Sequence, residues 1–145
     1  MNARHLSLGI LIALSFTFSG CSDDDDGTPA PTTSEGFEDD FQGTFRGEIR
    51  ISREDENDAD ILRLDLSASG SLLSGTFSTE GTVGSIEGTI DGSIADIAAT
   101  IVESDDECFG RFEGTLETNG NALELSIEGD DCEGRLIAVG TLRRQ

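Results

Sequence analysis

Phe41-Gln42-Gly43-Thr44-Phe45-Arg46-Gly47-Glu48-Ile49-Arg50-Ile51-Ser52 alternates without a break. Phe41, Gly43, Phe45, Gly47, Ile49 and Ile51 fall on one face, and Gln42, Thr44, Arg46, Glu48 and Arg50 on the other. Successive side chains of a β-strand point to opposite faces of its sheet, so a period of two over this length predicts a half-buried strand. Outward from it the period returns with Leu62, Leu64 and Leu66, with Leu73, Gly75 and Phe77, with Ile86, Gly88 and Ile90, and with Ala95, Ile97, Ala99 and Ile101. Cys108 to Leu116, then Leu123, Leu125 and Ile127, then Cys132 to Leu142 complete eight predicted strands, and no window carries a convincing helical period.

The connections at Gly70-Ser71, Asp91-Gly92 and Asn119-Gly120 are short and carry turn residues, so sequential strands are read as antiparallel hairpins. Glycine, threonine and an apolar residue recur together at Gly43-Thr44-Phe45, Gly75-Thr76-Phe77, Gly81-Thr82-Val83, Gly88-Thr89-Ile90, Gly114-Thr115-Leu116 and Gly140-Thr141-Leu142. The repeat puts a glycine and a large side chain on one face. Glycine weakens a strand interior but lets it bend where a small barrel curves sharply. The expected fold is therefore all-β: an eight-stranded antiparallel up-and-down barrel, with an open β-sandwich as the competing architecture. A barrel of this strand number is either filled by its own side chains or just wide enough for one small ligand.

Cys108-Phe109-Gly110-Arg111-Phe112 is echoed by Cys132-Glu133-Gly134-Arg135-Leu136, at the predicted starts of strands six and eight. In an exported protein these two cysteines are expected to pair as Cys108–Cys132. Two strand spacings amount to roughly 9–10 Å, beyond the approximate 7 Å limit between bridged Cα atoms, so curvature or a bent strand end has to close the gap.

In an up-and-down barrel the connections after strands one, three, five and seven share one rim. They read Arg53 to Asp60, Ser78-Thr79-Glu80, Glu103-Ser104-Asp105-Asp106-Glu107 and Glu128-Gly129-Asp130-Asp131. Carboxylates gathered in flexible loops can ligate calcium, which makes Asp55, Asp58, Asp60, Asp105, Asp106, Asp130 and Asp131 calcium candidates; the span Asp55 to Asp60 lacks the glycine and terminal glutamate of an EF-hand loop, and solvated acidic loops explain the same residues. Phe109, Ile137 and Val139 fall on the outward face, as a contact patch or as scattered exposed apolar residues.

At the other end of the chain, Arg4 precedes Leu6 to Phe18, a mostly apolar stretch without charge. It is too short for a transmembrane helix, which needs about 20 apolar residues, and suits the core of a signal peptide. Phe18-Ser19-Gly20-Cys21 resembles the lipobox of bacterial lipoproteins, with phenylalanine where leucine is usual. The resemblance implies cleavage before Cys21, lipid on that cysteine and anchoring to a membrane. Ser22 and the run Asp23 to Asp26 look like the surface-export tether of some Gram-negative lipoproteins, which implies an outer-membrane protein facing the exterior; four aspartates also suit a solvated linker. Residues 1–20 are thus expected to be a signal peptide, 21–40 a flexible acidic tether holding both prolines, and 41–145 a single β-barrel domain.

The net charge is −21, and removal of Arg4 makes it one unit more negative, which disfavours nucleic acid and anionic surfaces as partners. The chain has no Lys, Trp or Tyr, and its single histidine, His5, lies in the signal peptide. A Ser or Thr nucleophile would lack a His or Lys base, and zinc would lack imidazole and free thiolates, leaving only carboxylate chemistry. No enzyme activity and no catalytic residue is expected. Gly43-Thr44-Phe45 near the domain start is similar to the Gly-x-Trp of lipocalins, and Arg143 and Arg144 sit on the last strand where lipocalins keep an arginine across the barrel floor. The resemblance implies a calycin-type barrel and no particular ligand. The expected function is a non-enzymatic binding or interaction module whose partner is a protein, a glycan or a small apolar molecule. A lipocalin-like carrier and a calcium-dependent adhesive or structural protein are the alternatives.

Overall fold

A strand with one apolar face must bury that face, and here all eight strands bury theirs against one interior. The structure is a computed structural model that describes residues 36–145. A short helix α1 (Phe37–Phe41) leads into β1 (Gly43–Ser52), β2 (Asn57–Ser69), β3 (Leu72–Thr79), β4 (Thr82–Asp91), β5 (Ile94–Ser104), β6 (Arg111–Asn119), β7 (Ala122–Asp131) and β8 (Gly134–Arg144). Each strand pairs antiparallel with the next, and β8 returns to β1, closing an up-and-down barrel. The competing sandwich is excluded by the β1–β8 ladder, which runs from Phe45↔Arg144 to Ser52↔Ile137.

The inward sets are those of the period-two pattern: Phe45 and Ile49, then Leu62, Leu64 and Leu66, Leu73, Ile86 and Ile90, then Ala95, Ile97 and Ala99, Phe112 and Leu116, Leu123 and Leu125, and Leu136, Ala138 and Leu142 are all buried. No polar residue is buried among the described residues. In this register an inward glycine lies beside large side chains on both neighbouring strands: Gly75 between Leu66 and Ile86, Gly114 between Ile97 and Ile127. A Cβ on Gly114 would lie 2.0 Å from the Ser126 carbonyl oxygen, so the strands approach too closely there for any side chain. The glycine repeat is the small half of a large–small pattern that lets the wall curve.

The outward positions carry Arg46, Glu48, Arg50, Glu87, Glu113, Glu117 and Glu124, the pattern of a wall facing water, whereas a membrane-spanning barrel turns an apolar band outward. A register shift between Val83 and Gly84 leaves Val102 of β5 as the extra residue of a bulge, which explains why Val102 and Glu103 both face solvent.

Three sequence expectations change. Phe41 is not part of β1. Gln42 separates helix from strand, β1 opens at Gly43 with φ 130°, and Phe41 sits in α1 with its ring fully buried. Second, the acidic connections are shorter than composition suggested: Asn57 to Asp60 belong to β2, Glu103 and Ser104 to β5, and Glu128 to Asp131 to β7. Strand ends that rise above the core meet water on both sides, so they keep their ladder while carrying charge, as in Ile51↔Asp58 and Ile49↔Asp60. Third, β6 and β8 begin at Arg111 and Gly134, so both cysteines precede their strands. Cys132 lies in the β7–β8 turn, and Gly110 runs so close to the end of β7 that a Cβ on it would be 2.8 Å from the Asp130 carbonyl oxygen. The Cys108–Cys132 disulfide therefore joins adjacent segments, with a Cα–Cα distance of 5.3 Å, and no second strand has to be spanned.

Candidate functional site

The two ends of the barrel differ. At one end the connections are the two-residue turns Gly70-Ser71, Gly92-Ser93 and Gly120-Asn121. Gly70, Gly92 and Gly120 have φ near 60°, the conformation that primed hairpin turns demand. This end is shut. Phe41 is driven into it by α1, above a layer of Phe45, Leu116, Leu123 and Leu142 with no more than about one per cent exposure. Arg144, the register partner of Phe45, lays its guanidinium over the Phe45 ring at 4.9 Å from the centroid. Its Nη2 donates to the carbonyls of Asp39 (2.8 Å) and Asp40 (3.0 Å), and its Nη1 to that of Gln42. A cation at these carbonyls satisfies groups that a helix leaves unpaired at its C-terminus. Of the two arginines singled out in the sequence, Arg144 is the one across the floor. Arg143 is exposed on the outer wall beside Arg46.

At the opposite end the interior is hollow. A cavity of about 340 Å³ runs from the middle of the barrel to the acidic rim. Leu62, Leu64, Phe77, Ile86, Phe112 and Leu136 form its apolar walls, with Ala99 and Ala138 between them. Phe45 belongs to the closed half, so only Phe77 and Phe112 of the three interior phenylalanines meet the cavity, and they do not fill it.

The mouth is built by continuing the inward positions of three strands past the core. On β2 the inward series Leu66, Leu64, Leu62 continues as Asp60 and Asp58; on β1, Ile49 and Ile51 lead to Arg53; on β7, Leu125 and Ile127 lead through Gly129 to Asp131. Glu80, Asp106 and Glu133 join them from the connections. Arg53 is the single cation among the lining residues, and it is engaged. Its Nη1 and Nη2 donate to the two carboxylate oxygens of Asp131 at 2.9 and 2.7 Å, and Nη2 lies 3.1 Å from Glu133. The pair spans the start of β8. Asp131 also accepts from the Glu133 backbone N–H at 2.9 Å, and its side chain is 5% exposed. The Arg53 hydrogen bond, opposed by desolvation, holds the Asp131 carboxyl below the usual carboxylate range.

No family model, no curated protein and no solved structure matches this chain. Its function has to be read from the chemistry of the site.

The seven calcium candidates are dispersed. Asp58, Asp60, Asp106 and Asp131 reach the mouth; Asp58 and Asp60 accept from the backbone N–H of Ala59 and Ile61 at 2.8 and 2.6 Å. Asp130 faces outward between Arg111 and Arg135, Asp55 is exposed in the β1–β2 connection, and the carboxylate of Asp105 lies against Gly81. Among the described residues no three acidic, histidine or cysteine side chains come together as a metal-holding group. Phe109, Ile137 and Val139 are exposed as expected, but Phe109 lies in the β5–β6 connection while Ile137 and Val139 are flanked by Ser52 and Arg50 on β1. A larger depression on the outer wall over β2 to β6 is an open trough between small side chains such as Ser67, Ser74, Ala98 and Thr115. Cys21 and the rest of the lipobox lie outside the described residues.

Sequence reasoning placed Arg53 in a rim connection without marking it as turned into the mouth, and left Glu133 out of the rim. A signal for Arg53 was present: it follows Ile49 and Ile51 at the same parity and is the first charge on that face.

Proposed function

We propose that this chain is a lipid-anchored, non-enzymatic binding protein of the bacterial cell envelope, tethered to the outer membrane through Cys21 and facing outward, whose barrel takes a small ligand with an apolar body. The cavity carries this reading. About 340 Å³ is at the small end of the roughly 300–1,000 Å³ typical of ligand sites, and below the rim its walls are formed by apolar side chains. The chain enters the barrel at the closed end through α1, so the mouth lies at the end remote from the tether attachment. The stacked Arg144–Phe45 floor agrees with the lipocalin-type resemblance, and the absence of histidine and lysine from the domain argues against catalysis.

The test is titration of the full chain, disulfide intact, with the neutral fluorophore N-phenyl-1-naphthylamine. Saturable enhancement is expected, and it is expected to disappear in Ala138→Leu, which puts a larger side chain into the cavity wall while leaving the thermal midpoint near that of the native chain. Equal enhancement in both proteins would place the dye elsewhere and return attention to the outer wall as a surface for a protein or glycan partner.

A further inference from the structure

We infer that the cavity takes a cationic amphiphile: one short alkyl chain or ring system in the barrel, with a quaternary or protonated amine at the rim. The inference rests on the reading of the barrel as a ligand site and names the ligand class for it. The enclosed apolar space is the carrying observation, and the charge at its only polar boundary selects the head group.

Below the mouth nothing can pair with a polar group. The buried walls are aliphatic and aromatic, and no buried polar residue occurs among the described residues. Any polar part of a ligand therefore stays at the mouth, because an unpaired polar group is strongly disfavoured in such a lining. At the mouth stand six carboxylates, Asp58, Asp60, Glu80, Asp106, Asp131 and Glu133, and one guanidinium. Arg53 is already bonded to Asp131 and Glu133, so it is not free for an incoming anion. None of the ion pairs among the described residues includes Asp58, Asp60, Glu80 or Asp106. An anionic amphiphile such as a fatty acid would bring a carboxylate into this ring and be repelled. A cation is drawn in, and the field of the whole acidic chain raises its encounter rate. The volume limits the tail to a single chain or ring system.

The experiment is calorimetric titration of the full chain, disulfide intact, at low salt with four probes: octyltrimethylammonium, octan-1-ol, octanoate and tetramethylammonium. Octyltrimethylammonium is expected to bind at least about tenfold more tightly than octanol, with octanoate weaker still and tetramethylammonium undetected. The preference for the cation should shrink on raising the ionic strength and in the double variant Asp58→Asn with Asp60→Asn, whose exposed and half-buried positions lie at the rim outside the buried core, so that the fold stays intact. Octanol or octanoate binding as well as the cation would overturn the inference and leave the cavity reading standing. Tetramethylammonium binding as tightly as its octyl derivative would also overturn it, since the rim would then act without the barrel. Binding of none of the octyl probes would remove both readings together.

Discussion

A methyl group on Gly114 would stand 2.0 Å from the Ser126 carbonyl oxygen and 2.7 Å from the Ile127 Cα, neither of which can move without breaking the β6–β7 ladder. Gly114→Ala is therefore expected to destabilise the barrel by about 2–4 kcal/mol in urea unfolding, as overpacking against backbone does. Gly120→Ala is the comparison: open space surrounds its Cβ, and only the φ of 64° opposes it, worth about 1 kcal/mol. Equal losses at both sites would show that conformational freedom, and not close approach, is why glycine stands in the strands. The inward place of Gly75, Gly88, Gly114 and Gly140 was legible, because parity alone fixes the face. Their neighbours were not, because cross-strand register depends on turn geometry. Phe41 was misread for a related reason: it extends the parity of Phe45 and Gly43, and nothing in the pattern marks that the chain turns at Gly43 to drive a ring into the floor.

Elements rather than residues decide the rim. Composition makes a run such as Asn57 to Asp60 look like loop, yet the ladder of β1 and β2 continues through it to Ser52↔Asn57. The same misjudgement put Cys132 on a strand when it occupies a turn, and created a bridging problem that the structure does not have. At this rim the Arg53–Asp131 pair links the end of β1 to the end of β7 across β8. Asp131→Asn is expected to cost about 1–3 kcal/mol at neutral pH, as for a largely desolvated hydrogen bond to a charged partner. A carboxyl whose folded pKa is depressed contributes stability above its unfolded pKa of about 3.9, and that contribution is lost as pH falls through the folded value. The gap between native and variant midpoints should accordingly be full at pH 7 and narrow below about pH 4. Asp65, whose carboxyl is also lowered, by Arg63 and Thr44 on the outer wall, is common to both proteins and cancels in the difference. A gap that stays constant with pH would mean that Asp131 acts through packing and not through its charge.

For the molecule as a whole, closure follows from a ladder between the first strand and the last, a non-local contact that hairpin signals do not encode; the spacing of glycines made a barrel the better expectation, and the β1–β8 pairs decide it. Hollowness was beyond the sequence altogether, since it depends on how Phe77 and Phe112 meet across the interior. Net charge was legible in full, and its consequence belongs to this scale. Thirty acidic residues against nine basic ones leave most carboxylates without a partner, and the five ion pairs among the described residues all draw on that small cationic set. Such a chain repels itself in the compact state, so added salt should stabilise it by screening, over a Debye length that falls from about 10 Å at 0.1 M to about 3 Å at 1 M. The thermal midpoint is expected to rise steadily with sodium chloride. Calcium separates screening from site binding. With its candidate ligands scattered over the mouth, the turns and the outer wall, calcium chloride should match magnesium chloride at equal ionic strength to within about 2 °C, a difference well under 1 kcal/mol for a domain of this size. A saturable rise with calcium alone, reversed by chelator, is the linkage signature of a specific site and would reinstate the acidic rim as a metal centre.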